Sequence, residues 1–318
     1  MKDLSVVISL FNEAESLPEL VSLINTTATG MGVDYEIIMV NDGSTDNSWN
    51  VILSLAEKYK AVRAIKFRRN YGKSAALFCG FEAAEGAVVI TMDADLQDDP
   101  NEIPALYNMI RQQGYDLVSG WKKKRFDNKF TKNIPSKIYN ATARKVTGLK
   151  LHDMNCGLKA YRNEVVKNIE VYGEMHRYIP YLAKNAGFTK IGEKEVCHHV
   201  RKYGKSKFGL ERFVNGYLDL LSLWFLQQFG KKPMHFFGVL GSLTFIIGFI
   251  ITIIIIIQKV CAQSAGLKFR AVTDQPLFYL ALVALIIGIQ LFLTGFIAEL
   301  ISRGREDRNN YQISQRIR

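Results

Sequence analysis

The segment Ala87-Val88-Val89-Ile90-Thr91-Met92-Asp93-Ala94-Asp95-Leu96-Gln97-Asp98-Asp99-Pro100 joins two kinds of sequence. Its first half, preceded by Gly86, is a short apolar run that reads as a buried strand of a mostly parallel sheet. Its second half places two carboxylates, Asp93 and Asp95, where the strand gives way to a loop. Open α/β sheets bind ligands beyond the carboxyl ends of their strands, and two acids there can converge on one hard cation through oxygen. The stretch reads as a seat for Mg²⁺ or Mn²⁺ and a diphosphate, against the plainer alternative of acids that solvate a turn.

The flanking sequence repeats the pattern. Leu4 to Leu10 is a Val- and Ile-rich strand ending in Ser9-Leu10-Phe11-Asn12-Glu13, and a helix through Ala28 follows with Leu17, Leu20, Leu23 and Ile24 on one face. No G-x-G-x-x-G marks this first turn, which argues against a nicotinamide-dinucleotide enzyme. A second strand, Tyr35 to Val40, ends in Asn41-Asp42-Gly43-Ser44-Thr45-Asp46. Helix capping accounts for Asp46, and Asp42, nearest the strand end, is the candidate ligand. Val62 to Phe67 leads into Arg68-Arg69-Asn70-Tyr71-Gly72-Lys73, whose cations and following helix amino terminus both favour phosphate. Tyr115 to Ser119 is a fifth strand. Strands and helices alternate from Leu4 to Gly120, so the fold class is α/β, a doubly wound, mostly parallel sheet.

Beyond Trp121 the run Lys122, Lys123, Lys124, Arg125, Lys129, Lys132 and Lys137 contains one internal acid, Asp127. It is either a solvated face or a site for a second anionic substrate beside the metal seat. Asp153 is an isolated acid ahead of Gly157 and a short strand, and Arg201 to Phe208 has the basic, Gly204-containing profile of a loop that closes over phosphate. Cys79, Cys156, Cys197 and Cys261 form no C-x-x-C pair, which speaks against a disulfide or zinc framework. In Cys197-His198-His199, neighbouring residues on a strand would point to opposite faces and not share one ion.

The chain has 318 residues and a net charge of +11, and its apolar residues concentrate after position 230. Met234 to Ile257 and Gln275 to Ala298 carry no charge. Each run is roughly 24 residues, about 36 Å as helix, enough to cross a bilayer core of about 30 Å. Leu210 to Phe229 has the amphipathic spacing of a helix lying in the membrane interface. The organisation expected is a domain over 1–208, an interfacial helix over 209–230, two spans within 231–302 (about 234–257 and 275–301) and a basic tail over 303–318. Met1-Lys2-Asp3-Leu4-Ser5 lacks signal-peptide organisation. Lys231, Lys232 and the arginines from Arg303 onward outweigh Lys259, Lys268 and Arg270, which places both termini in the cytoplasm. The positive charge suits a membrane surface or anionic substrates, and no nucleic-acid-binding motif is present. Gly238, Gly241 and Gly248 permit close helix contact, including contact between copies in a homo-oligomer.

Taken together these residues resemble the polyprenyl-phosphate glycosyltransferases of glycosyltransferase family 2, the group of dolichol-phosphate mannose synthase and the bacterial undecaprenyl-phosphate glucosyltransferases. The resemblance spans essentially the whole chain and implies a GT-A-type nucleotide-sugar-binding sheet. The family's P-x-Y-N-E turn stands here as Ser9 to Glu13, with Ser for Pro and Phe for Tyr, so Ser9, Phe11 and Glu13 inherit base and ribose contacts. D-D-G-S is matched by Asn41 to Ser44, giving Asp42 a base contact, and Val40, Lys73 and Ala94 join the nucleotide set. D-A-D-L-Q is matched in full, implying that Asp93, Asp95 and Gln97 bind metal and diphosphate. The basic segment implies lipid-phosphate contacts from Arg125, Lys132, Ser136 and Tyr139. D-x-x-C-G falls on Asp153, and R-x-x-G-x-S-K on Arg201, Gly204, Ser206 and Lys207 as a diphosphate loop.

The activity so implied is an inverting glycosyl transfer, with Mg²⁺ or Mn²⁺, from a nucleotide sugar to polyprenyl (undecaprenyl) phosphate at the inner membrane. UDP-glucose is the first expectation for the donor; GDP-mannose and a UDP-aminoarabinose derivative are the alternatives. The product would be a lipid-linked monosaccharide for the cell envelope. Asp95 and Asp153 are the catalytic candidates. A phosphate monoester has a second pKa of about 6, so a general base is hardly required and Asp153 is expected to position the acceptor. A processive polysaccharide synthase would carry Q-x-x-R-W and more spans, and neither is present. A non-catalytic nucleotide-sugar sensor would have lost Asp95 or the basic segment, and both persist.

Overall fold

The computed structural model describes residues 2–123, 142–144, 146–203, 225, 233–266, 270–303 and 313–317. They form two compact units, one over residues 1–220 and 308–318 and one over 221–307. The second is thus inserted in the chain between the last two strands of the first.

The larger unit is an eight-stranded sheet. Its strands are β1 (Leu4–Leu10), β2 (Tyr35–Asn41), β3 (Val62–Phe67), β4 (Val88–Asp93), β5 (Leu117–Trp121), β6 (Lys159–Arg162), β7 (Ile191–Glu195) and β8 (Ile313–Ile317), in the order β7-β5-β6-β4-β1-β2-β3-β8. Strands β4, β1, β2 and β3 run parallel, as crossovers through α1 (Leu17–Gly30), α2 (Ser48–Lys58) and α3 (Lys73–Ala83) require. The sheet is nonetheless mixed, because β6 runs antiparallel to β4 and β5, and β8 antiparallel to β3.

Both faces are covered, which explains the continuous apolar strands. Val6 and Ile8 point to a core shared with Leu17, Leu20 and Ile24 of α1, Ile52 of α2 and Leu106 of α4 (Ile103–Arg111). Val7 points to the opposite core, with Phe81 of α3 and with Val165 and Val166 of α5 (Asn163–Lys167). A further helix, α6 (Ile179–Asn185), closes that side.

Two boundaries differ from expectation. The fifth strand begins at Leu117, not Tyr115, because the Asp116 carboxylate accepts the Lys190 N–H (3.0 Å) and the Arg162 guanidinium, forming a polar corner. The basic tail is not simply a tail: Ile313–Ile317 is β8, and Ile317 packs on the first core.

The smaller unit contains α7 (Pro233–Ser264) and α8 (Pro276–Arg303), each long and apolar enough to cross a membrane. α7 runs past the expected end at Ile257, since nothing at Gln258 or Lys259 breaks a helix. The pair meets at small residues. A Cβ at Gly241 would lie 2.6 Å from the Gly288 carbonyl oxygen, and one at Gly248 would lie 2.7 Å from that of Ala281. Gly241 and Gly248 are thus used within the chain, while the atoms nearest a Cβ at Gly238 belong to Met234 of its own helix. The interfacial helix expected over 209–230 lies, apart from the helical Phe225, outside the described residues.

Candidate active site

Parallel pairing sets the strand ends level. Ser9 stands opposite Val40 on one side and Asp93 on the other, so three of the expected nucleotide-site residues form one row at the carboxyl edge of the sheet. The turns that leave this row are tied to one another. Asn12 adopts a left-handed φ of 54°, a conformation Asn tolerates better than most residues. Its N–H donates to Ser44 Oγ (2.9 Å), its side-chain oxygen accepts the Thr45 N–H (2.8 Å), and the Glu13 N–H donates to Ser48 Oγ (3.0 Å). Asp46 accepts the Ser48 and Ala14 amides (3.0 and 3.3 Å), so it caps and also staples.

Asp42 is buried, and its two oxygens accept the N–H groups of Tyr71 (2.7 Å) and Gly72 (2.9 Å). Burial pushes its pKa up to about 6 in spite of those two donors. The carboxylate therefore holds the loop that opens α3 and presents Lys73. Beside Lys73, Ser74 Oγ accepts the His176 N–H (3.0 Å) and meets its ring Nδ1 at 3.1 Å. Burial first, then the Lys73 charge, push the His176 pKa well below its ordinary value and keep the ring neutral.

At the centre, each aspartate of Asp-Ala-Asp has its own cation. Lys73 Nζ pairs with Asp93, and Arg201 Nη2 donates to Asp95 Oδ2 (2.5 Å) while Nη1 donates to Glu13 Oε1 (3.3 Å). Burial works to raise the Asp93 pKa, but the ammonium groups of Lys73, Lys122 and Lys159 hold it well below the usual carboxylate range. For Asp95, burial and the neighbouring Asp93 charge win over Arg201 and push the pKa up to about 6. Leu96, at φ 58° and packed into the core, makes the bend that separates the two acids from Gln97. The side-chain amide of Gln97 reaches the carbonyl of His199 (3.5 Å).

His199 belongs to a clasp. Its N–H donates to the Gln97 carbonyl (2.9 Å), its ring Nε2 meets Asp99 Oδ2 at 3.1 Å, and His198 bridges Asp98 in antiparallel fashion. Segment 197–201 thereby lies along the acidic loop and delivers Arg201 to Asp95. Beneath the loop, Asp98 is buried and pairs with Lys122 Nζ (2.7 Å). Burial would lower the Lys122 pKa, yet Asp98 raises it. Lys122 is thus turned inward to Asp98, and Lys123 lies over the Trp121 ring and pairs with Glu195 (3.1 Å). Arg125, Lys132, Ser136 and Tyr139 lie outside the described residues, as do Gly204, Ser206 and Lys207.

The segment carrying Asp153 closes the site. Thr91 Oγ1 donates to the Gly157 carbonyl (2.8 Å), pinning Gly157 flat against the Asp93 carboxylate. Asp153 is buried and its Oδ1 accepts the Asn155 N–H (3.1 Å). Lys159, also buried, donates from Nζ to the Cys156 carbonyl.

These residues suit a divalent ion. Among the described residues, no group of three or more His, Cys, Asp or Glu side chains could hold a metal. Two carboxylates are what Mg²⁺ or Mn²⁺ uses when substrate phosphate and water complete its shell. Asp93 and Asp95, near enough that the Asp93 charge adds to burial in raising the Asp95 pKa, fit that role. Asn12, Lys122, Lys159 and His176 have structural places here that sequence pattern did not assign. Asn12 carried a local signal as an Asn in a turn after a strand, and Lys122 showed only as part of a basic run.

A mixed α/β sheet with an Asp-Ala-Asp turn at its central strand end, cations on both acids and a glycine laid on the first of them describes a nucleotide-sugar glycosyltransferase. Residues 5–170 match the glycosyl transferase family 2 profile. Two curated relatives extend the match beyond it. Dodecaprenyl-phosphate galacturonate synthase of Rhizobium johnstonii is 36% identical over 98% of this chain and 92% of its own length. Undecaprenyl-phosphate 4-deoxy-4-formamido-L-arabinose transferase of Aeromonas hydrophila is 35% identical over 100% of this chain and 95% of its own length. Among solved structures, glucosyl-3-phosphoglycerate synthase of Mycobacterium tuberculosis, in complex with Mn²⁺ and UDP-glucose, superposes with a TM-score of 0.54 at 18% identity, over 70% of this chain and 78% of that one. That likeness is one of fold. The chain belongs to glycosyl transferase family 2 and is a glycosyltransferase.

Proposed function

We propose that this enzyme moves a sugar from a nucleotide sugar to the phosphate of a polyprenyl lipid at a membrane. The observation that carries the reading is the pairing, in one chain, of the Asp93–Asp95 centre with two span-length helices, over nearly the full length of relatives named for polyprenyl-phosphate acceptors.

In the reaction an acceptor phosphate oxygen bonds to the anomeric carbon as the bond from that carbon to the diphosphate oxygen breaks. Attack opposite the departing diphosphate inverts the anomeric centre. A divalent ion on Asp93 and Asp95 would supply Lewis-acid charge neutralisation to the leaving group, an effect worth several kcal/mol. Lys73 and Arg201, which now neutralise the two acids, are the side chains placed to follow the negative charge onto the diphosphate. Asp42 holds the loop that delivers Lys73, and Glu13 holds Arg201 over the nucleotide edge of the sheet. Asp153, on the segment whose Gly157 lies against Asp93, orients the acceptor and steadies charge on the sugar without taking a proton.

For the sugar, glucose gives way to those in the relatives' names: a galacturonate or 4-deoxy-4-formamido-arabinose donor is the stronger reading, carried by UDP. A bacterial inner-membrane location with the catalytic unit cytoplasmic fits the charge distribution. Because β8, after the second span, joins the same sheet as β1, an even number of crossings is favoured.

The test is to give the purified full-length chain undecaprenyl phosphate with a panel of UDP- and GDP-sugars and to weigh the lipid product by mass spectrometry. A lipid-linked monosaccharide from one donor is expected. Absence of sugar-bearing lipid with every donor would remove the proposal.

A further inference from the structure

Asp153 does not stand on its own loop unaided. Glu193, in the middle of β7, lies beside Ser119 of β5 in parallel register, which aims its side chain at the segment entering Asp153. Its Oε1 accepts two successive main-chain N–H groups, those of His152 (2.8 Å) and Asp153 (3.1 Å). Its Oε2 meets His152 Nδ1 at 2.7 Å. The His152 ring is in turn stacked on Trp121 at the end of β5, with centroids 4.4 Å apart and planes 19° apart. The Glu193 side chain is only 12% exposed, so these bonds are partly shielded from water. One carboxylate thus gathers main chain and ring from a segment 40 residues away in sequence.

The same strand supplies a contrast. Glu195 and Lys194 each hold one partner side chain, Lys123 and Glu102, at the rim. Lys194 also reaches the neighbouring Glu195 carbonyl (3.3 Å), whereas Glu193 binds the main chain of a distant segment, and that segment carries the buried Asp153. From the other end the segment is fixed by Thr91 on Gly157. Between these two anchors Asp153 has little freedom to turn.

We infer that Glu193 is a positioning residue for the transfer reaction: it sets the main chain at 152–153 so that Asp153 meets the acceptor in register with Asp93. The inference rests on the reading of Asp153 as the acceptor-orienting acid, and the variants separate the two ideas.

Full-length wild type, Glu193→Ala, Glu193→Gln and Asp153→Asn are compared in nanodiscs for kcat, for KM of donor and acceptor, and for UDP–Mn²⁺ binding by calorimetry. Misplacement of about 1 Å costs on the order of 10²-fold, so Glu193→Ala is expected to lower kcat by roughly 10–100-fold with donor KM and UDP–Mn²⁺ affinity unchanged. Glu193→Gln retains a carbonyl oxygen for both amides and should recover kcat to within about threefold of wild type. If Asp153→Asn abolishes transfer while Glu193→Ala keeps wild-type kcat, the positioning role of Glu193 is wrong. If Glu193→Ala loses UDP–Mn²⁺ binding as well, its effect is general to the fold and the inference also fails. If Asp153→Asn itself works at wild-type rate, it is the reading of Asp153 that falls.

Discussion

Gly157 lies directly on the carboxylate of Asp93: a Cβ built at position 157 would stand 2.3 Å from Asp93 Oδ2. Two segments more than sixty residues apart in sequence are thereby held in contact at the chemical centre, and the Thr91 hydroxyl on the Gly157 carbonyl keeps them there. Gly157→Ala must displace either the acid or the segment that leads to Asp153. Activity is expected to fall by about 10²-fold or more. Transfer assays alongside circular dichroism check this, and an alanine variant as active as wild type would show that the contact is dispensable.

Metal removal should act at the proposed Asp93–Asp95 seat. Excess chelator is expected to stop transfer, and Mn²⁺ or Mg²⁺ to restore it. Arg201→Ala, which strips Asp95 of its cation and the diphosphate of a donor, should lower kcat by about 10²–10³-fold. Full-rate transfer in chelator would rule out the ion.

Asp42 couples acidity to donor binding with opposed signs. Burial raises its pKa to about 6 in the folded chain, so the folded state binds the proton more tightly than the unfolded one. Its contribution to stability therefore rises as pH falls through about 6 toward the ordinary value of 3.8. The same protonation removes an acceptor from the Tyr71 or Gly72 amide and loosens the Lys73 loop, so donor KM should climb over that interval. Asp42→Asn is expected to start with a high KM and to lack this part of the pH response. Parallel KM and thermal-melting series in wild type and variant decide it.

The Asp98–Lys122 pair is shielded, with side-chain exposures of 0% and 12%. Removing one partner of a buried pair typically costs about 3–5 kcal/mol because it strands the other charge. Lys122→Met should therefore lower the melting temperature markedly, while Asp98→Asn with Lys122→Met should recover part of the loss. Equal melting of Lys122→Met and wild type would mean that the pair is not a structural fastener.

Much of this was readable from the chain. The apolar strands ending in Asn41-Asp42 and Asp93-Ala94-Asp95 announced both the sheet and its working edge, because burial on two faces leaves no other use for such runs. The two charge-free helices were legible from length and composition, since uncharged runs of that size are long enough to cross a bilayer core. The clasp made by His198 and His199 was not, because it depends on a bridge formed across 100 residues. Lys122 looked like one member of a basic run, and only the fold reveals that it turns inward to Asp98. Glu193 had no local signal at all, since its partners, two main-chain amides and the His152 ring, lie about 40 residues away in sequence.

That the last strand of the sheet is encoded after both apolar helices has a consequence for biogenesis. The growing sheet has β3 as a bare flank until β8, encoded after both apolar helices, has been made. A chain stalled before Ile313 therefore keeps an adhesive margin at which other unfinished copies can pair.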